Sequence, residues 1–192
     1  MDGNIPIINS LNMWRELINF QLNIAERWYR RGNEVNDIFA KFFFYFTGFN
    51  SLYSLWKKID GISQGEGKQI ENLLKKFDRH RAGILLNRIR DSVDYFTKRR
   101  PISRMDRREP SRPYSGDQEE GKKWQGRLID NSDPLKQVVA MGQILYLIRS
   151  NLVHGSKAGS GDDHDIIQAS IQPLKIILEE AIQLTQQSLR TY

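Results

Sequence analysis

Apolar side chains return at steps of three and four along residues 10 to 31, through Leu11, Trp14, Leu17, Ile18, Ile24, Ala25 and Trp28. That period gathers them on one helical face. Arg30, Arg31 and Gly32 then end the pattern, with positive charge near the negative end of the helix dipole. A second helix is expected to begin between Asn33 and Asn36 and to run to about Lys58. Its middle, Phe42-Phe43-Phe44-Tyr45-Phe46, is apolar on every side, which predicts the most buried helix of the domain. Gly61, Gly65 and Gly67 punctuate the exit from it.

A third helix is predicted over Lys68 to Phe77 and a fourth over Ala82 to Thr97. The charged run Asp78-Arg79-His80-Arg81 either joins or breaks them, and His80 reads as an exposed helix end. From Lys98 to about Asp133 the periodicity fails, with Pro101, Pro110 and Pro113 and little aliphatic content. This stretch reads as a long loop or a partly disordered insertion, whose second half docks back through Trp124, Leu128 and Ile129. Asp133 is a predicted N-cap and Pro134 a predicted first residue of a fifth helix. Val138, Met141, Leu145, Ile148 and Leu152 form its core stripe, and Gly155 stops it.

A Gly-rich loop is expected from Gly155 to Asp165, then a last helix to about Leu189 that Pro173 kinks or restarts. No alternating strand pattern and no solenoid-length repeat appears. The expected architecture is therefore an all-α bundle of five to six helices. It forms one domain over residues 1–192, with a basic loop at about 98–133 before the penultimate long helix.

Charge changes this picture in one place. The 192 residues carry a net +6. Seven basic residues, Lys98, Arg99, Arg100, Arg104, Arg107, Arg108 and Arg112, stand against Asp106 and Glu109, so this one segment holds +5 of it. Such a segment attracts polyanions, and the attraction falls steeply with salt; the alternative is a solvated loop that binds nothing specific. No cysteine is present, which excludes disulfides, thiolate metal sites and cysteine nucleophiles. With no signal pattern at its start, a cytoplasmic chain is expected. The apolar window from Ile38 to Trp56 is interrupted by Lys41, Asn50, Ser51 and Ser54, and reads as a core helix with no role in a membrane.

The chemistry concentrates near residue 150, in Tyr146-Leu147-Ile148-Arg149-Ser150-Asn151-Leu152-Val153-His154-Gly155. Arg149 offers a permanent charge and a planar fork of donors for phosphate oxygens. His154 offers proton transfer near neutral pH. Around a helix the two lie about 140° apart, and a long arginine spans that by curling round the helix end. Asn151 and His154, three apart, share a face. Together they are a minimal kit for cleaving a phosphodiester without metal.

This string resembles the Arg-x(4–6)-His motif of HEPN domains, in particular the Apea-like type. Phe46-Thr47-Gly48-Phe49-Asn50-Ser51-Leu52-Tyr53-Ser54-Leu55-Trp56 is similar to that family's aromatic helix around an Asn-x-Leu-Tyr core. The order of aromatic helix, charged insertion and motif matches as well, so the resemblance spans about residues 10 to 190. It implies an all-α domain that commonly dimerises. Many members are metal-independent ribonucleases, acting as toxins, in antiviral defence or in RNA processing; others are non-catalytic binding modules. Carried over, the motif makes Arg149 and His154 the catalytic pair, and it implies no cofactor. The position after the arginine, often Asn, Asp or His in active members, is Ser150 here, with Asn151 next.

In-line cleavage by the 2′-hydroxyl needs a base and an acid on opposite sides of phosphorus. A homodimer would supply a second histidine to one cleft, an independent reason to expect one. The expected activity is endoribonuclease, with RNA held by the 98–112 arginines and an antitoxin or defence-system protein as a further partner. The alternatives are a silent module binding RNA, nucleotide or protein, and a pure interaction domain in a defence system. Asn50 and Tyr53 read as structural, although placed to hydrogen-bond towards the motif. Asp162-Asp163-His164-Asp165 reads as an N-cap for the last helix and not as a metal site. Gly155-Ser156-Lys157-Ala158-Gly159-Ser160-Gly161 lacks the order of a phosphate loop.

Overall fold

The structure, a computed structural model, describes residues 7–99, 115–130, 132–153 and 161–190. Among these residues there are eight helices and no strand: α1 (Ile7–Glu34), α2 (Ile38–Ile59), α3 (Glu66–Leu74), α4 (Arg79–Arg88), α5 (Arg90–Lys98), α6 (Ser115–Ile129), α7 (Pro134–Val153) and α8 (Gly161–Leu189). The all-α expectation stands, with more and shorter helices than five or six.

Each extra element has a local cause. Asp78 breaks the chain between α3 and α4, because its Oδ1 accepts from the Arg81 N–H at 2.7 Å and so caps α4. Buried Ile89, with φ −117° and ψ 19°, divides α4 from α5 within what periodicity reads as one helix. α6 occupies the second half of the stretch expected to be loop. It is anchored by little apolar surface: Trp124 and Leu128, four apart, are buried, while Ile129 is exposed and does not dock. The buried Gln125 amide donates to the carbonyls of Phe96 and Thr97, both at 3.0 Å, satisfying the end of α5. A helix held by two apolar side chains and one amide leaves almost no periodic trace in sequence.

α1 and α2 form an antiparallel hairpin across a tight turn, where the Asp37 carboxylate caps α2 by accepting from Ala40 at 2.7 Å. Trp28 stacks on Phe44 with centroids 5.3 Å apart, and Ser51 donates to the Gln21 carbonyl. α2 also packs on α8 and α3, and α7 packs on α3, α4, α6 and α8. α7, not α2, is consequently the more completely buried helix. It is closed to solvent from Val138 to Ile148 apart from the half-buried Tyr146, whereas Phe43 of α2 is 55% exposed. An all-apolar run on α2 was insufficient because that helix has neighbours on only part of its circumference.

α8 begins at Gly161, earlier than expected, so Asp162 to Asp165 lie in its first turns and not before it. It runs as one helix through buried Pro173 without restarting. No described helix is long and apolar enough to cross a membrane.

Gly48 marks the closest approach of α2 to its neighbours. A Cβ there would sit 3.1 Å from the Ala25 carbonyl oxygen and 3.0 Å from Leu178 Cδ2. Gly48→Ala would gain about 1 kcal/mol from helix propensity alone. We expect the opposite sign, a loss of about 1–3 kcal/mol from overpacking against a backbone that cannot yield. Urea unfolding of the two proteins reads the sign directly.

Candidate functional site

Arg149 lies in the last full turn of α7, one residue past fully buried Ile148. Its side chain is 31% exposed, so the guanidinium emerges on the less covered face of α7 near the helix end. Nη1 faces Glu66 Oε2 at 3.4 Å, and Cζ stands 5.6 Å above the centroid of the Phe46 ring. Glu66 is the first residue of α3, where a carboxylate is favoured by the helix dipole. Its other oxygen, Oε1, accepts the hydroxyl hydrogen of Tyr53. A fourth contact ties the two helices together: Gln143 Nε2 of α7 donates to the Gly67 carbonyl at 2.6 Å. Three helices thus meet at one cation, with α7 supplying Arg149, α3 Glu66, and α2 both Phe46 and Tyr53.

Burial raises the Tyr53 pKa strongly, reinforced by its hydrogen bond to Glu66 and that group's charge, and opposed by the Arg149 charge. The phenol therefore stays protonated, as a donor to Glu66, well above neutral pH.

The other predicted site residues are placed as follows. Ser150 and Asn151 are buried, at 6% and 3% exposure, so they sit inside the bundle and not on an open surface beside Arg149. His154 lies outside the described residues, as do Arg100, Arg104, Arg107, Arg108 and Arg112. Of the basic run, Lys98 and Arg99 are described and exposed. Arg99 reaches Asp165 Oδ2 at 3.8 Å and stands 5.6 Å from the Tyr95 ring. The run therefore starts beside the first turns of α8, the helix that residues 154–160 join to the end of α7. Asn50 accepts from Ser54 at 3.1 Å and takes no part in the site, whereas Tyr53 does, through Glu66.

Sequence reasoning missed Glu66 and Gln143, and took Phe46 only as part of the aromatic helix. The one available signal was an acid set between two glycines, Gly65-Glu66-Gly67, where two helices change direction. Two surface grooves, of about 390 and 610 Å³, flank α5 and do not include Arg149. Among the described residues no cluster of His, Asp and Glu is arranged to hold a metal ion, and exposed His80 stays a helix end in α4. No family model, no curated protein and no solved structure matches this chain.

Three tyrosines carry pKa values raised by burial: Tyr45, Tyr53 and Tyr29, the last to about 12 with help from its bond to Glu179. A phenol whose folded pKa lies above its unfolded value of about 10 adds stability that is complete below pH 10 and lost as pH rises beyond it. Of the seven tyrosines, these three are expected to ionise later than an ordinary phenol in an absorbance titration, Tyr29 near pH 12.

Proposed function

We propose that this protein is a HEPN-type endoribonuclease that cleaves RNA by attack of the substrate's own 2′-hydroxyl. The observation that carries the reading is the part-exposed Arg149 guanidinium near the end of α7, paired with Glu66 and five residues before His154. A fixed donor fork at a surface suits the non-bridging oxygens of a phosphodiester, which gain charge in the transition state. In the proposed reaction one His154 takes the proton from the 2′-hydroxyl and O2′ attacks phosphorus. The P–O5′ bond then breaks as a second imidazole protonates the departing oxygen. The products are a 2′,3′-cyclic phosphate and a 5′-hydroxyl.

Each chain offers one histidine in the motif, so the proposed active form is a homodimer with its site at the interface. The basic run from Lys98 to Arg112 is the proposed RNA-holding segment, and a toxin, defence or RNA-processing role the proposed context, with an antitoxin or defence-system protein as a further partner.

A second reading, a catalytically silent HEPN module that binds RNA, nucleotide or protein, is favoured by one observation: Ser150 and Asn151 are buried. The buried polar groups beside Arg149 then serve the interior, and Arg149 with the loop arginines serves binding alone.

RNA incubated with the protein in excess chelator separates the two. The first reading expects cyclic-phosphate ends and no cleavage of a strand that is 2′-deoxy at the scissile position. It expects losses of about 10²–10⁴-fold for His154→Ala and a comparable loss for Arg149→Ala. Binding without turnover, or turnover indifferent to both substitutions, rejects it.

A further inference from the structure

We infer that Tyr53 and Glu66 are the positioning pair for Arg149, clamping one edge of its guanidinium so that the remaining N–H groups face a phosphate. The carboxylate is itself held from several sides. Its Oε1 accepts from the Tyr53 hydroxyl, it stands at the first residue of α3, and the next residue is tied to α7 through Gln143 and the Gly67 carbonyl at 2.6 Å. An acid tethered in this way is a fixture and not a swinging lid. The Phe46 ring, 5.6 Å from Cζ, limits Arg149 on a second side. Among the described residues the guanidinium meets one carboxylate oxygen, through Nη1 alone, which leaves donors over. The buried phenol keeps its proton, so the clamp does not relax near neutral pH.

The same chemistry occurs elsewhere in the fold and shows what differs here. Tyr29 donates to Glu179, and Arg88 binds the Glu179–Glu180 pair through Nη2 at 2.8 Å and Nη1 at 3.4 Å. Both terminal nitrogens of Arg88 are spent on tying α4 to α8. Arg149 spends one. A part-exposed ion pair is weak, so Glu66 removes little of the attraction Arg149 exerts on an anion. Orientation matters more, since a misplacement of about 1 Å can cost on the order of 10²-fold in rate.

The inference rests on the ribonuclease reading only for the identity of the phosphate, and its test has a readout that needs no activity. In the full chain with ¹⁵N-labelled arginine, rotation of the Arg149 guanidinium about Cζ–Nε is measured by NMR, with its resonance assigned by Arg149→Lys. Wild type should show slow rotation. Glu66→Gln should speed it severalfold and Tyr53→Phe should speed it less, while Glu34→Gln, which breaks the exposed Arg31–Glu34 pair, should leave it alone. If Glu66→Gln does not change the rotation, the inference is overturned whatever the enzyme does.

On RNA, Glu66→Gln should lower kcat about tenfold or more with KM within about threefold. Adding Tyr53→Phe should cost little further, because both act through one contact. A Glu66→Gln protein that cleaves faster or binds a 2′-deoxy strand more tightly would make Glu66 a competitor of phosphate and overturn the inference. So would a loss of activity that merely tracks a fall in Tm. If wild type fails to cleave and Glu66→Gln still frees Arg149, the nuclease reading falls and the clamp stands.

Discussion

Burial of α7 is the constraint on which the rest of the molecule depends. Four helices cover it, and its side chains from Val138 to Ile148 are almost entirely withdrawn from water. A helix packed on most of its circumference tolerates a charge only where coverage stops or where a neighbour supplies the opposite sign. Arg149 meets both conditions. It stands on the less covered face of α7, part-exposed between buried Ile148 and Ser150, and α3 begins with a carboxylate opposite it. The position of the cation is thus a consequence of how α7 is packed, and α3 is ordered around it by the Gln143–Gly67 hydrogen bond.

The aromatic helix α2 links this margin to the core. Phe46, Phe49 and Tyr53 stand at spacings of three and four, hence on one face, and their rings meet edge to face at 5.3 to 6.5 Å between centroids. The two ends of that cluster do different work. Phe49 is wholly buried, Phe46 lies under the guanidinium, and Tyr53 sends its hydroxyl to Glu66. Core packing therefore sets the height and tilt of the groups that hold Arg149. Loss of a ring here would damage stability and site together, whereas loss of the Tyr53 hydroxyl alone leaves the ring in place.

Much of the architecture was legible in the chain. The helices α1 and α2, the cap at Asp133 and the core stripe of α7 follow from spacing and turn chemistry that act within a few residues. α6 was not legible, since two apolar side chains and Gln125 hold it, and what Gln125 satisfies lies 28 and 29 residues away. The exposure of Phe43 was equally hidden, because the number of neighbours around a helix is a property of the whole bundle.

For the candidate site the division is sharper. The sequence alone determined that an arginine would close α7 beside small polar residues, because periodicity assigns that helix and its end. It could not say that Ser150 and Asn151 turn inward while Arg149 turns out, since helical phase against four neighbours decides that. Nor could it pair Arg149 with Glu66 across 83 residues or with Tyr53 behind it. Contacts between residues remote in sequence carry no local signature, so only the tertiary structure decides which acid meets the cation.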